Sequence, residues 1–335
     1  NCYIPDDSAS PITASDTDNF AKNLSLFIRR DAKKRYWHQL ESPAAGHCIM
    51  RILCLHGRGS NNEIFRMQTA AIRADLEDFE WEFVQGTFRH TEGNWSLYTT
   101  SFSKLPLYGY YYPLDPASVL QAEEDLFAII REEGPFDGIL GYSGGASLAA
   151  QLIIKDRMEN PLALPHERAF RFAIFINAAS PLNCFSLDDY AEGDLVIHDT
   201  IKGSIAEEAA DIVMRPSALR KKAGIDNEDQ PDVDAVKTAF AKLKGVTLPD
   251  GSLGFTDGEY GMVRYNAVSE DTLIDIPTLH VRCPAEHRHH GLHLYEMCEP
   301  RTALEYHHEH DHDFPRGRTE MKRIAELIRE VADSA

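Results

Sequence analysis

Phe136-Asp137-Gly138-Ile139-Leu140-Gly141-Tyr142-Ser143-Gly144-Gly145-Ala146 decides how the rest of the chain is read. Phe136 to Gly141 has the length and apolar content of a short buried strand, and Ala146 to Ile154 continues as a helix of small and apolar residues. Between them stands a G-x-S-x-G motif, Gly141 to Gly145, with Ser143 at its centre. A serine so placed occupies a sharp strand-to-helix turn, and the flanking glycines let the two elements approach without Cβ clashes. The turn projects the hydroxyl outward, while the helix start sets positive partial charge beneath it. Ser143 is therefore the first candidate catalytic residue.

Working outward, Met50 to Leu55 is a second apolar run, and it ends in His56-Gly57-Arg58-Gly59-Ser60-Asn61, a strand entering a turn. Ser60 and Glu63 have the spacing of a capping box, and Ile64, Phe65, Gln68, Ile72 and Leu76 carry a helical period onward. Strands are also predicted at Trp81–Val84, Arg171–Asn177, Pro277–Val281 and Thr302–Tyr306, with helices at Ala117–Glu132 and Arg316–Ala332. Strands that are apolar throughout and alternate with helices make parallel sheets covered on both faces. With a serine elbow at its centre, that pattern predicts an α/β-hydrolase fold: a mostly parallel sheet, helices on both faces, and the triad in the chain order Ser, acid, His.

Between 185 and 275 the rhythm breaks. Helical patterns near Ile205–Met214 and Val233–Leu243 are separated by a polar stretch, Gly224–Asp232, and followed by glycines in the 250s. This segment is read as a helical lid or substrate-binding insertion in a hydrolase domain spanning 48–335. Residues 1–47 are read as an N-terminal extension with an amphipathic helix from about Ser15.

An oxyanion hole needs backbone N–H groups aimed at developing negative charge. Gly144, directly after the serine, supplies one, and the loop after the first strand supplies the other at Arg58. His56 precedes the serine in the chain and is read as structural. The base must follow Ser143 and lie at a late strand end, where His307-His308-Glu309-His310-Asp311-His312-Asp313-Phe314-Pro315 stands. The acid belongs after Pro277–Val281, and Glu286 is the candidate there; Asp275, Asp311 and Asp313 are the runners-up. Its work is to fix the imidazole tautomer and stabilise the imidazolium. His308, His310 and His312 could instead converge on a metal, but no H-E-x-x-H or Cys-x-x-Cys pattern accompanies them, and no metal or cofactor is expected.

Composition narrows the partners. The 335 residues carry 34 Lys+Arg against 53 Asp+Glu, a formal charge of −19, which disfavours nucleic acid and anionic lipid. A local basic run, Arg29 to Arg35, stands against that trend. No apolar run approaches the roughly 18–20 residues of a membrane helix. Six cysteines in a chain of this length are no disulfide framework, and a cytoplasmic location is expected.

Taken together these segments resemble the fungal serine hydrolase family, whose members include esterases and polyketide-releasing thioesterases. The resemblance rests on Leu53–Asn61, Phe136–Ala146, Phe172–Ile176 and Ile276–Val281, and on His308-Glu309-His310-Asp311-His312-Asp313-Phe314-Pro315, which is similar to the family ending H-x-G-G-H-x-x-P. It makes His312 the catalytic histidine and His308 a non-catalytic match. It departs at Gly144, where the family usually has Gln, at Glu286 for Asp, and at His310-Asp311 for the glycine pair. The implied activity is an acyl-enzyme on Ser143 formed from an ester or thioester, released as acid or lactone. An acyl carrier domain of a polyketide synthase is the implied partner. A carboxylesterase without a carrier, and a non-catalytic ligand-binding module, are the alternatives.

Overall fold

The computed structural model describes residues 49–89, 106–164, 167–201, 205–206, 209, 233–265, 273–285 and 290–335. In chain order the strands are β1 (Met50–Leu55), β2 (Phe79–Val84), β3 (Phe88–Arg89), β4 (Tyr108–Gly109), β5 (Gly138–Tyr142), β6 (Phe172–Ile176) and β7 (Leu182–Ser186). They continue with β8 (Val196–His198), β9 (Lys244–Thr247), β10 (Leu253–Thr256), β11 (Tyr260–Arg264), β12 (Thr278–Arg282) and β13 (Ala303–His307). The helices are α1 (Asn62–Gln68), α2 (Ala70–Ala74), α3 (Pro116–Glu133), α4 (Gly144–Glu159), α5 (Val233–Lys242), α6 (His290–Glu296) and α7 (Arg318–Asp333).

Six strands form a parallel sheet in the order β13-β12-β6-β5-β1-β2. All five residues of β6 are buried, and they divide by parity. Phe172, Ile174 and Ile176 pack with α1, α2 and α7, whereas Ala173 and Phe175 pack with α3, α4 and α6. Helices thus cover both faces, and the fold is that of an α/β-hydrolase. The closing helix shows why it docks: Met321, Ile324, Ala325, Ile328, Val331 and Ala332 are buried at helical spacing. Each large side chain so buried contributes roughly 1.5–3 kcal/mol. Among the described residues no helix is long and apolar enough to cross a membrane.

The expected capping box of Ser60 and Glu63 is not what starts α1; a simple side-chain cap one residue later takes its place. Asn61, extended at φ −156°, is the N-cap of α1 and accepts from the Ile64 N–H at 2.9 Å. Ser60 is instead bridged to Tyr108.

Strand order sets the position of the site. The chain leaves β1 for the edge strand β2, then crosses back to lay β5 on the other side of β1. Connections diverge at that point, opening a crevice at the C-terminal ends of β1 and β5. The loop from His56 and the elbow at Ser143 are what the chain places there.

The helical lid is corrected. The described part of the insertion is built on a five-stranded sheet, β7-β11-β10-β9-β8, antiparallel at every pairing. Helix is present at Val233–Lys242, as expected, and at Ile205, Ala206 and Ala209. Apolar residues of the sheet and helices, among them Cys184, Ala206, Val236, Phe255 and Met262, share a cluster with Leu114 and Val119 beside and on α3. The insertion is therefore docked through a core of its own.

Candidate active site

Ser143 sits at φ 54°, ψ −119°, a backbone region that residues with a Cβ rarely adopt. The elbow is held in that state from both sides. The Ser143 N–H donates to the Ile176 carbonyl at 2.9 Å, and its carbonyl accepts from Ala146 and Ser147 as α4 begins. The helix start also lies hard against the end of β1: a Cβ on Gly145 would meet the carbonyl oxygens of Leu55 and His56. The sixteen-residue α4 then directs its N-terminal peptide groups at the space above the serine.

Arg58 comes to the same space. A Cβ placed on Gly144 would lie 3.9 Å from the Arg58 backbone nitrogen, so Arg58 stands next to the residue that follows Ser143. The loop that carries Arg58 is pinned elsewhere. Gly59 N–H donates to the Tyr108 carbonyl at 2.9 Å, and Tyr108 N–H donates to the Ser60 carbonyl at 2.7 Å. His56, fully buried, donates from Nδ1 to the Gly57 carbonyl at 2.8 Å and accepts the Gly86 N–H at Nε2 at 3.0 Å. Burial pushes its pKa down to about 4, so it is a neutral tie between strand ends. Between β3 and β4, Trp95, Tyr98 and Phe102 lie outside the described residues. Tyr110 is a support: its hydroxyl accepts from the His56 N–H and donates to the Val84 carbonyl.

His312 Nε2 is 2.8 Å from Ser143 Oγ. Two residues that the sequence reading passed over hold the loop that brings it there. Tyr142, the variable position of the serine motif, donates its hydroxyl to the His312 carbonyl and stacks on the imidazole at 5.8 Å. Its ring also lies edge-on to Phe314 and stacks on Phe65. Asn177, at φ 45° just past β6, donates from Nδ2 to the Asp313 carbonyl at 3.0 Å and faces His308 Nε2 through Oδ1 at 2.8 Å. The signal that could have found Tyr142 is its place beside the nucleophile; Asn177 gave none beyond standing at a strand end.

Glu286 lies outside the described residues. Asp275 does not serve in its stead: it precedes β12, at the end of the sheet away from Ser143, and pairs with Arg168 at 3.1 Å and Arg157 at 3.6 Å. Asp313 pairs with Arg316 at 3.7 Å, and Asp311 is an exposed turn residue at φ 50°. The ring nitrogens of the three histidines have different partners, His308 with Asn177, His310 with Glu320 at 2.7 Å and His312 with Ser143, while the His308 and His310 rings stack at 5.6 Å. Among the described residues no three His, Cys, Asp or Glu side chains are grouped to hold a metal ion.

Comparison with known proteins fits this geometry. The family described as Serine hydrolase (FSH1) matches residues 47–324. Hydrolase FUB4 of Fusarium oxysporum f. sp. lycopersici is 30% identical over 290 residues, covering 85% of this chain and 99% of its own. Esterase FPY3 of Fusarium mangiferae is 40% identical over 137 residues, which are 39% of this chain and 58% of that protein. Probable esterase tazC of Aspergillus terreus is 32% identical over 160 residues, 43% of this chain and 59% of its own. With the family match running through both the serine elbow and the histidine loop, the chain belongs to the FSH1 serine hydrolase family.

Proposed function

We propose that the protein cleaves an ester or thioester of a polyketide-type acyl chain through an acyl-enzyme on Ser143. The observation that carries this reading is the 2.8 Å approach of His312 Nε2 to Ser143 Oγ at the crevice between β1 and β5. In the first step His312 takes the hydroxyl proton as Oγ bonds to the acyl carbon, and the carbonyl oxygen becomes an oxyanion facing the N–H groups of Arg58 and Gly144. Collapse breaks the bond to the alcohol or thiol, which leaves with the proton held by His312. Water, or a hydroxyl of the acyl chain itself, then attacks the acyl carbon as His312 accepts its proton, and collapse breaks the bond to Ser143 Oγ, which takes that proton back, giving acid or lactone. Glu286 is assigned to the imidazole Nδ1, since it follows β12 at the same end of the sheet as His312.

The insertion is assigned to the acyl chain, as a lid. Support comes from its docking beside α4, the helix that begins at the nucleophile: Ser147, one turn on, donates to the Ser180 carbonyl, which also accepts from Arg264 at the end of β11. An acyl carrier domain as donor follows from the family resemblance, with the basic run Arg29–Arg35, outside the described residues, as a docking element for an acidic carrier. The names of FPY3 and tazC favour a second reading, a carboxylesterase that needs no carrier.

Fluorophosphonate labelling followed by peptide mapping tests the core of the proposal. Ser143 is expected to take the probe, and Ser143→Ala and His312→Ala to abolish uptake in folded protein; labelling elsewhere would remove Ser143 as the nucleophile. Turnover of carrier-bound acyl thioesters against matched oxygen esters separates the two readings. Preference for short oxygen esters, with no gain from the carrier, selects the carboxylesterase.

A further inference from the structure

The base loop begins at His308 and ends at Asp313, and a single side chain touches both ends. Asn177 Nδ2 lies 3.0 Å from the Asp313 carbonyl, and its Oδ1 lies 2.8 Å from His308 Nε2. Hydrogen-bond logic fixes the orientation of each partner. The Asp313 carbonyl can only accept, so the amide nitrogen must face it and the amide oxygen must face His308. The His310 N–H can only donate, and it points to His308 Nδ1 at 3.2 Å. His308 therefore carries its proton on Nε2 and gives it to Asn177. One tautomer and one amide orientation satisfy the whole set.

The set is anchored and dry. Asn177 is 8% exposed and His308 3%. The Asn177 N–H donates to the Val281 carbonyl at 2.8 Å, and the His308 N–H to the Arg282 carbonyl at 3.1 Å, so both residues hang from strand ends. Asp313 N–H closes the loop on the His310 carbonyl at 2.9 Å. His312 lies inside this ring, one peptide from the carbonyl that Asn177 holds.

We propose that Asn177 and His308 are positioning residues that clamp the two ends of the base loop and so hold His312 Nε2 on Ser143 Oγ. The inference rests on the reading of Ser143 and His312 as nucleophile and base. Buried amide and imidazole groups matched this closely leave the loop few alternative arrangements. Release of the clamp leaves the probe-binding surface in place and moves the base, so it acts on the chemical step.

The test uses the full chain and a fluorophosphonate, reading the maximal labelling rate and the half-saturating probe concentration separately. Asn177→Gly removes the amide while suiting the positive φ, so it deletes the clamp without adding backbone strain. It should slow maximal labelling by about 10- to 100-fold, the scale of an ångström-sized misplacement, with half-saturation unchanged. His308→Ala should fall with it, the double variant should be no slower than either, and His308→Gln, whose amide can donate to Asn177, should recover most of the rate. If Asn177→Gly does not fold, Asn177→Asp takes its place, since it keeps the acceptor and loses the donor. Wild-type labelling by Asn177→Gly or Asn177→Asp, or a His308→Gln as slow as His308→Ala, overturns the clamp. Ser143→Ala in the same series tells the two failures apart: persistent labelling there would condemn the nucleophile assignment itself.

Discussion

Two neighbouring glycines at the start of α4 should respond to alanine in opposite ways. A Cβ on Gly145 would lie 2.5 Å from the His56 carbonyl oxygen and 2.8 Å from the Leu55 carbonyl carbon. Ordinary C···O contacts are about 3.3–3.6 Å, so the helix start must lift by about 0.8 Å or more. Neither obstacle can rotate away, because both are backbone atoms at the end of a central strand. Overpacking of this kind costs about 1–3 kcal/mol. The same shift carries Ser143 and the Gly144 N–H away from Arg58, and misplacement on that scale lowers rates by about 100-fold. Gly144→Ala meets nothing nearer than 3.9 Å, and alanine is the better helix former by about 1 kcal/mol. The family resemblance, with Gln usual at that position, agrees that a side chain fits there. Urea unfolding and fluorophosphonate labelling of both variants decide the matter. Gly145→Ala should be destabilised and slow, and Gly144→Ala near wild type in both. Equal damage from the two, or an undamaged Gly145→Ala, would refute the reasoning.

Tyr142→Phe keeps the ring packing on His312 and Phe314 but removes the bond to the His312 carbonyl; labelling should slow by about tenfold, the equivalent of one hydrogen bond of about 1.4 kcal/mol, and an unchanged rate would show that stacking alone holds the base. Asp275→Asn should leave labelling intact, because its pairs with Arg168 and Arg157 lie at the other end of β12, and an inactive variant would return the acid role to it. Acidification should destabilise the fold through two buried histidines: burial lowers His56 to about 4 and His280 to about 3, so their stabilisation is complete above pH 6.5 and is lost as pH falls from there towards those values. At pH 5 each forfeits about 2 kcal/mol relative to pH 7, and His280→Gln should show a correspondingly smaller drop in urea unfolding; a parallel profile would mean that His280 is not held neutral.

The central sheet was legible because its strands are buried on both faces and read as unbroken apolar runs. Phe172 to Ile176 is the clearest, and its observed limits fall inside the predicted ones. The sheet of the insertion was not legible, although its helix at Val233–Lys242 was. Its strands are three to five residues long, and β9, β10 and β11 each carry a glycine at their second position, Gly245, Gly254 and Gly261. At Gly261 the ring of Phe185 on β7 packs where a Cβ would stand, 2.5 Å from Cε2, so packing demands the residue that reads locally as a loop. The site divides in the same way. Ser143, Gly144, Arg58 and His312 lie in local motifs, whereas the importance of Asn177 arises from partners 131 and 136 residues further along. Position 177 alone looks like any asparagine closing a strand.

The pairing of β6 with β12 has a consequence for the order in which the protein acquires its chemistry. Thr278 pairs with Ala173 only after the chain has left the sheet and returned, and His312 reaches Ser143 across 169 residues. Loop closure on that scale costs little more than a shorter one in equilibrium terms, but such distant parallel pairings form slowly. The serine turn, whose partners Leu55 and Ile176 lie nearer in sequence, is therefore expected to form before His312 arrives. Reactivity toward a fluorophosphonate should return during refolding after the helical circular-dichroism signal has recovered.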